Sequence, residues 1–488
     1  MKGKLFSIMS ALVVLTMVLA ACGPQAAAPT PTTAPAAEAT PTEAMAAEAT
    51  PTEAMAAEAT PTEAMAAETP STGGMTKEQA PPVPNPTRQY EGQEIIYYGD
   101  TVGLGAELDQ ALARQFTQDT GIRVRIIPKP SNATENYSTY QRFFQAQSAD
   151  VDVMMLDVIW PGAFAQHLVD LKPKLGDEAS EHYPGIIENN TVDGRLIAMP
   201  WFGDFGILYY RTDLLQKYGY SKPPETWDEL EQMAQKIMDG EKASNPNFVG
   251  FVFQGNAYEG LTCDALEWIA SNGGGTIIEN GRVTVNNPKA AEILNKARGW
   301  VGTIAPKGVT TYQEEDARNV FQSGNAAFMR NWPYAYAAAK TPDQSGKVSP
   351  IADKFDVAPL PHGPGGESVG TVGGWQLGVS KYSKHQDAAI EFVRYMTSAE
   401  VQTWRAVVGS FVPTRPDVAN DPRVQAAMPF LKTTANVKRV TRPSRELGAK
   451  YNEGSTIFFQ GVSQILNGAD ANTVLPQIEQ RLNLLMQR

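Results

Sequence analysis

Between Ile95 and Leu156 three short apolar stretches alternate with two helical patterns, and this alternation restricts the fold more than any other feature of the chain. Ile95–Tyr98 reads as a strand, after which Leu108, Leu112 and Phe116 recur at helical spacing. Arg123–Ile127 follows as a strand of part-alternating polarity. A second helix through Tyr140 to Gln147 then leads into a third strand, Val151–Leu156. Strand–helix–strand order predicts an α/β fold, a mainly parallel sheet with helices on both faces. Ligands of such sheets sit beyond the carboxyl ends of the strands. Asp157 and Trp160 lie just past one such end.

The sequence before Glu91 is of a different kind. Lys2 and Lys4 precede an apolar run from Leu5 to Leu19, and Ala20 and Ala21 follow, which is the layout of a secretory signal over residues 1–21. Leu19-Ala-Ala-Cys22 resembles the lipobox of bacterial lipoproteins, so Cys22 is expected to carry the lipid and to tie the chain to the outer face of the cytoplasmic membrane. From Cys22 to about residue 90 the chain is low in complexity. Its centre is a ten-residue repeat, Glu-Ala-Thr-Pro-Thr-Glu-Ala-Met-Ala-Ala, that starts at Glu38, Glu48 and Glu58. Proline breaks any helix the alanines favour, and the repeat has almost nothing to bury against its ordering entropy. Residues 22–90 therefore read as a disordered tether. The remainder, about 400 residues, is long enough for two domains.

Charge and composition exclude several classes. The net charge is −12, and seven glutamates between Glu38 and Glu68 carry much of it, which leaves a mildly acidic body unsuited to nucleic acid. Cys263 is the one cysteine besides Cys22, so no intramolecular disulfide is expected. With four histidines and no cysteine pair, neither a metal nor another cofactor is implied. Nucleophile elbows, Walker loops, zinc-protease motifs and dinucleotide fingerprints are all missing from the sequence. Thr226 and Glu229 have capping-box spacing ahead of Leu230, Met233 and Ile237, which makes Trp227 a packing residue. Trp268, Trp300 and Trp404 lie in other helical patterns and read the same way.

The other four tryptophans stand apart. Trp160, Trp201, Trp332 and Trp375 each fall in a stretch rich in Pro, Gly or Asp that reads as a turn. A flat aromatic ring packs on the C–H face of a pyranose, while carboxylates accept charge-assisted hydrogen bonds from its hydroxyls. That mixture predicts a carbohydrate ligand.

Five separated motifs now resemble a known family. They are Asp152–Trp160, Pro200–Leu215, Gln254–Asp264, Gly324–Tyr334 and Val372–Val379. In this order they are similar to the bacterial extracellular solute-binding proteins of sugar importers, and most of all to trehalose/maltose-binding lipoproteins. The resemblance implies a two-lobe, hinged binding-protein fold with discontinuous lobes. Lobe 1 would span 91–200 with about 378–413, and lobe 2 would span 201–377 with about 414–488. Hinge crossings would lie near Pro200–Asp204, Gly374–Val379 and Val412–Arg415. It further implies a sugar held by Asp157, Phe202, Asp204, Trp332 and Tyr334, to which the reading of the aromatic turns adds Trp160 and Trp201. Gly373, Gly374 and Trp375 would form the floor, with Tyr258, Glu259, Arg442 and Glu107 as additional contacts. Where relatives place an arginine near the start of the second helix, this chain reads Thr134–Ser138, and Tyr137 is expected to take that place. The expected partners are the sugar and the transmembrane subunits of an ABC permease, and the chain is expected to be a monomer and not an enzyme. A secreted glycosidase, or the same fold binding an oligopeptide, polyamine, glycerophosphodiester or iron complex, are the competing readings.

Overall fold

The computed structural model describes residues 74–343 and 345–488. The leader, Cys22 and the repeat lie outside the described residues.

The predicted alternation opens the fold. Strand β1 (Glu94–Gly99), helix α1 (Gly105–Thr120), strand β2 (Arg123–Pro128), helix α2 (Ala133–Gln145) and strand β3 (Val153–Asp157) follow one another. β1 pairs in parallel with both β2 and β3. Leu108, Leu112 and Phe116 of α1 are fully buried, as their spacing predicts. Val153–Leu156 is buried on both faces, as a central parallel strand must be.

The chain then runs through β4 (Met199–Phe205) and β5 (Ile207–Arg211). Helix α3 (Trp227–Glu241), strand β6 (Val249–Val252) and helices α4 (Glu259–Ser271) and α5 (Pro288–Trp300) come next. The predicted capping box starts α3: Glu229 N–H donates to Thr226 Oγ1 and Thr226 N–H to Glu229 Oε2, both at 3.2 Å. Trp227 is buried and donates to Ser271 Oγ, which fits its expected packing role. Strand β7 (Ala326–Asn331), helix α6 (Tyr334–Lys340), strand β8 (Phe355–Ala358) and the long strand β9 (Val369–Val379) follow. The chain ends with α7 (Gln386–Met396), α8 (Ala399–Gly409), β10 (Lys438–Val440), α9 (Tyr451–Leu466) and α10 (Ala471–Gln487).

Two larger sheets result. One has the order β10-β9-β3-β1-β2, with β4 also paired to β9; the other has the order β8-β5-β7-β6. β9 is the organising strand, pairing antiparallel with β3 and β4 and in parallel with β10. An isolated bridge joins Gly203 to Val412. The three stretches expected as hinge crossings therefore lie side by side. Helices α9 and α10 pack on α4 and α5, whereas short helices at Pro416–Ala419 and Pro422–Ala427 pack on α8. The boundary expected at 414 thus falls inside chain that still packs on α8.

The expected tether is shorter than its composition suggested. Thr76 and Pro81 accept hydrogen bonds at their carbonyls from Trp404 Nε1 (2.8 Å) and Tyr395 O–H (2.6 Å). Val83 N–H donates to Asp119 at 2.8 Å, and Lys77 pairs with Glu107 at 2.7 Å. Residues 74–90 are docked chain. Their prolines suit an extended backbone that bonds to side chains instead of to a neighbouring strand.

Candidate functional site

The carboxyl ends of the three parallel strands each deliver one charged side chain to a single cavity: Asp100 after β1, Lys129 after β2 and Asp157 at the end of β3. The cavity holds about 670 Å³ of empty space, the open solvent at its mouth included. Lys129 Nζ lies 3.5 Å from Asp100 and 4.4 Å over the ring of Trp375. Asp157 takes both head nitrogens of Arg442, at 2.7 and 3.2 Å.

Arg442 also donates to Glu259 at 2.9 Å, and Glu259 accepts from Tyr451 O–H (2.5 Å) and Ser455 O–H (2.7 Å). Burial raises the Glu259 carboxyl above its ordinary range, against the pull of Arg442. Burial also opposes the charge on Arg442, but Asp157 and its other neighbours overcome it and hold the guanidinium protonated.

The opposite wall is aromatic. The guanidinium of Arg330 lies 3.9 Å from the ring centre of Trp332, and Trp332 Nε1 approaches Glu314 at 3.4 Å. Arg330 is fully buried and is fixed by Asp264 (3.1 Å), Glu267 (2.6 and 2.8 Å) and Gln254 (3.0 Å). Tyr334 donates its hydroxyl to Glu315 at 2.6 Å. Phe202 and Phe411 complete the apolar lining and pack edge to face, with centroids 4.8 Å apart.

β9 runs along the floor. A Cβ on Gly373 would sit 3.0 Å from Trp332 Cζ3, and one on Gly374 would meet the Phe202 carbonyl at 2.5 Å, with φ at +118°. Only glycine lets this strand pass so near the ring while holding that backbone. Asp204 projects beside it, and among the described contacts no donor reaches its carboxylate. Burial, then Asp100, Asp157 and Glu314, push the Asp204 carboxyl well up, against the counter-effect of Arg330. Burial raises the Glu314 carboxyl too, although Tyr258 and Trp332 donate to it.

Ten of the sequence-predicted residues meet in this cavity: Asp157, Phe202, Asp204, Glu259, Trp332, Tyr334, Gly373, Gly374, Trp375 and Arg442. Four do not line it. Trp160 is buried beneath the floor, packed on Tyr140, Phe164 and the edge of Trp375. Trp201 points into the core under the Arg405 guanidinium, 3.8 Å from its ring centre. Tyr258 is buried one layer back and reaches the site through Glu314. Glu107 pairs with Lys77 on α1. Tyr137 stacks on Phe164 and likewise misses the cavity. Trp201 and Trp375 also sit on strands β4 and β9 and not in turns.

Asp100, Lys129, Glu314 and Phe411 join the site without having been singled out by sequence. The first two carry a usable signal, since each follows a predicted strand as Asp157 does. Glu314 and Phe411 carry none.

Comparison with known proteins accords with this geometry. The family model for bacterial extracellular solute-binding proteins matches residues 98–403. A probable ABC transporter-binding protein of Deinococcus radiodurans is 50% identical, over 77% of this chain and 90% of its own. A maltodextrin-binding protein of Bacillus subtilis is 25% identical over 59% of this chain and 66% of its own. Among solved structures, maltose-bound T. maritima MalE3 superposes with a TM-score of 0.76 at 40% identity, covering 81% of this chain and 100% of that one.

Proposed function

Since the chain belongs to the bacterial extracellular solute-binding proteins, a family of two-lobe binders and not of enzymes, we propose that it is the sugar receptor of an ABC importer. Its ligand is a disaccharide or short oligosaccharide of the trehalose/maltose kind, enclosed between the lobes and passed to the permease.

The observation that carries this reading is the composition of the cavity wall. Trp332 and Tyr334, from the β7–α6 junction, line it together with Trp375, Phe202 and two glycines, and Asp157, Asp204, Glu259 and Glu314 line the same space. Aromatic faces take the C–H surfaces of pyranose rings. Carboxylates with spare lone pairs take the hydroxyl protons in charge-assisted bonds. Asp204, with no protein donor among the described residues and a carboxyl pushed up by burial, has both oxygens left for a ligand hydroxyl. The maltose held by the T. maritima relative supports the same ligand class.

Closure about the β4, β9 and Val412 crossings brings the two walls together and forms the surface that the permease reads. No bond is made or broken. Lipid on Cys22 and the repeat tether keep a monomeric receptor beside its importer, raising its local concentration.

Calorimetric titration with maltose, trehalose and sucrose tests this directly. One-to-one binding without hydrolysis is expected, weakened at least tenfold by Trp332→Ala and by Asp204→Ala. Absence of heat with every sugar, alongside a thermal shift with a peptide or polyamine, would overturn the ligand class and keep the fold.

A further inference from the structure

A second cavity, with about 990 Å³ of empty space including the open solvent at its mouth, opens to the surface beside half-exposed Tyr183 and adjoins the first. The two share one lining residue, Arg442. Their boundary is one chain thick at two places. Asp157 faces the first cavity and Val158 the second, and Gly373 and Val372 divide in the same way. A hydrogen bond from Val158 N–H to the Gly374 carbonyl (3.0 Å) closes the backbone part of this wall. Among the described residues, Arg442 alone faces both spaces.

We propose that Arg442 is a partition that limits ligand length: its guanidinium, clamped between Asp157 and Glu259, blocks the passage through which a longer glucan would continue into the second cavity.

The clamp suits that task. Asp157 comes from β3, Glu259 from the first turn of α4, and Arg442 from the segment after β10, so three distant stretches converge on one head group. Tyr451 and Ser455 of α9 fix Glu259 in turn. Arg442 is 4% exposed, and its Nε is buried with no acceptor among the described residues, so the head group is anchored while one donor is left over. The second cavity is lined by Tyr183, Ile186, Asn189, Arg445 and Glu446, which offer an aromatic ring and hydrogen-bonding groups of the kind a sugar unit needs. This inference rests on the sugar reading given above.

The test is titration of the protein with maltose, maltotriose and maltotetraose. The wild type is expected to bind maltose at least tenfold more tightly than maltotetraose. Arg442→Ser is expected to weaken maltose, because Asp157 and Glu259 lose their cation, and to raise the relative affinity for maltotetraose at least tenfold. Arg442→Lys keeps the charge on a narrower head, and a smaller gain of the same sign is expected, which keeps the idea testable if the serine variant does not fold. Gly185 borders the second cavity, and a Cβ added there would meet no atom within 4 Å, so Gly185→Trp adds bulk at its mouth without a clash at the Cβ. Alone it should leave maltose binding within twofold; combined with Arg442→Ser it should cancel the gain. An unchanged ratio in both arginine variants, or equal wild-type affinity for all three glucans, overturns the partition while leaving a sugar receptor. No wild-type affinity for any sugar, including trehalose and sucrose, removes the sugar reading and the partition together.

Discussion

Replacing Asp109 with asparagine should make the protein less sensitive to pH. Asp109 is fully buried on α1, where burial, opposed by Arg405 and reinforced by Asp100, raises its carboxyl from 3.8 to about 6. In the unfolded chain it titrates near its ordinary value. Below pH 3.8 both states hold the proton, and stability is complete as far as this group is concerned. As pH rises from 3.8 to about 6 the unfolded state releases its proton while the folded state keeps it, so stability falls; above about 6 it levels off. At about 1.4 kcal/mol per pH unit, the loss across the whole window is about 3 kcal/mol. Asparagine does not titrate, and its side-chain oxygen can still accept from Asp100 N–H, which Asp109 Oδ2 does at 2.9 Å. Urea unfolding of both proteins from about pH 4.5 to 6.5 should show the free-energy difference moving by about 2 kcal/mol toward the variant as pH rises. A difference that stays flat, or moves toward the wild type, would refute the assignment of a proton to buried Asp109.

Three further outcomes are expected. Starting the chain at residue 91 instead of 74 removes the hydrogen bonds that the docked arm accepts from Trp404 and Tyr395 and the one that Val83 N–H donates to Asp119; the melting temperature should fall while sugar affinity stays within twofold. Thr226→Ala breaks the capping box of α3 and should lower stability by about 1 kcal/mol, read by urea unfolding. Cys22→Ser should move the protein from the membrane fraction to the soluble one on cell fractionation, and retention at the membrane would reject lipid attachment there.

Much of the architecture was legible because its causes are local. Apolar spacing in residues 95–156 marked both helices and all three parallel strands, and Thr226 with Glu229 marked a helix start. The rule that ligands gather beyond strand ends picked out Asp157, and the same rule applied to β1 and β2 would have found Asp100 and Lys129. The Gly-Gly-Trp stretch has the composition of a turn, yet it lies within β9, where the two glycines leave room for the Trp332 ring and the Phe202 carbonyl. The far end of the tether, expected at residue 90, was misplaced because residues 74–90 have loop composition and are held by bonds to distant side chains, which composition does not record.

What the sequence by itself determined was the set of elements and the type of chemistry: an α/β body behind a low-complexity segment, with aromatics and carboxylates in the stretches near strand ends. Only the tertiary structure decided which side of each strand met the cavity. Trp201 and Phe202 are neighbours on β4, and alternation sends one to each face, so Phe202 lines the site and Trp201 packs under Arg405. Glu314 and Phe411 belong to the site through packing alone. The Arg442–Glu259 contact spans 183 residues, and no local pattern could pair them, because burial of opposite charges at one point is settled by how whole elements pack.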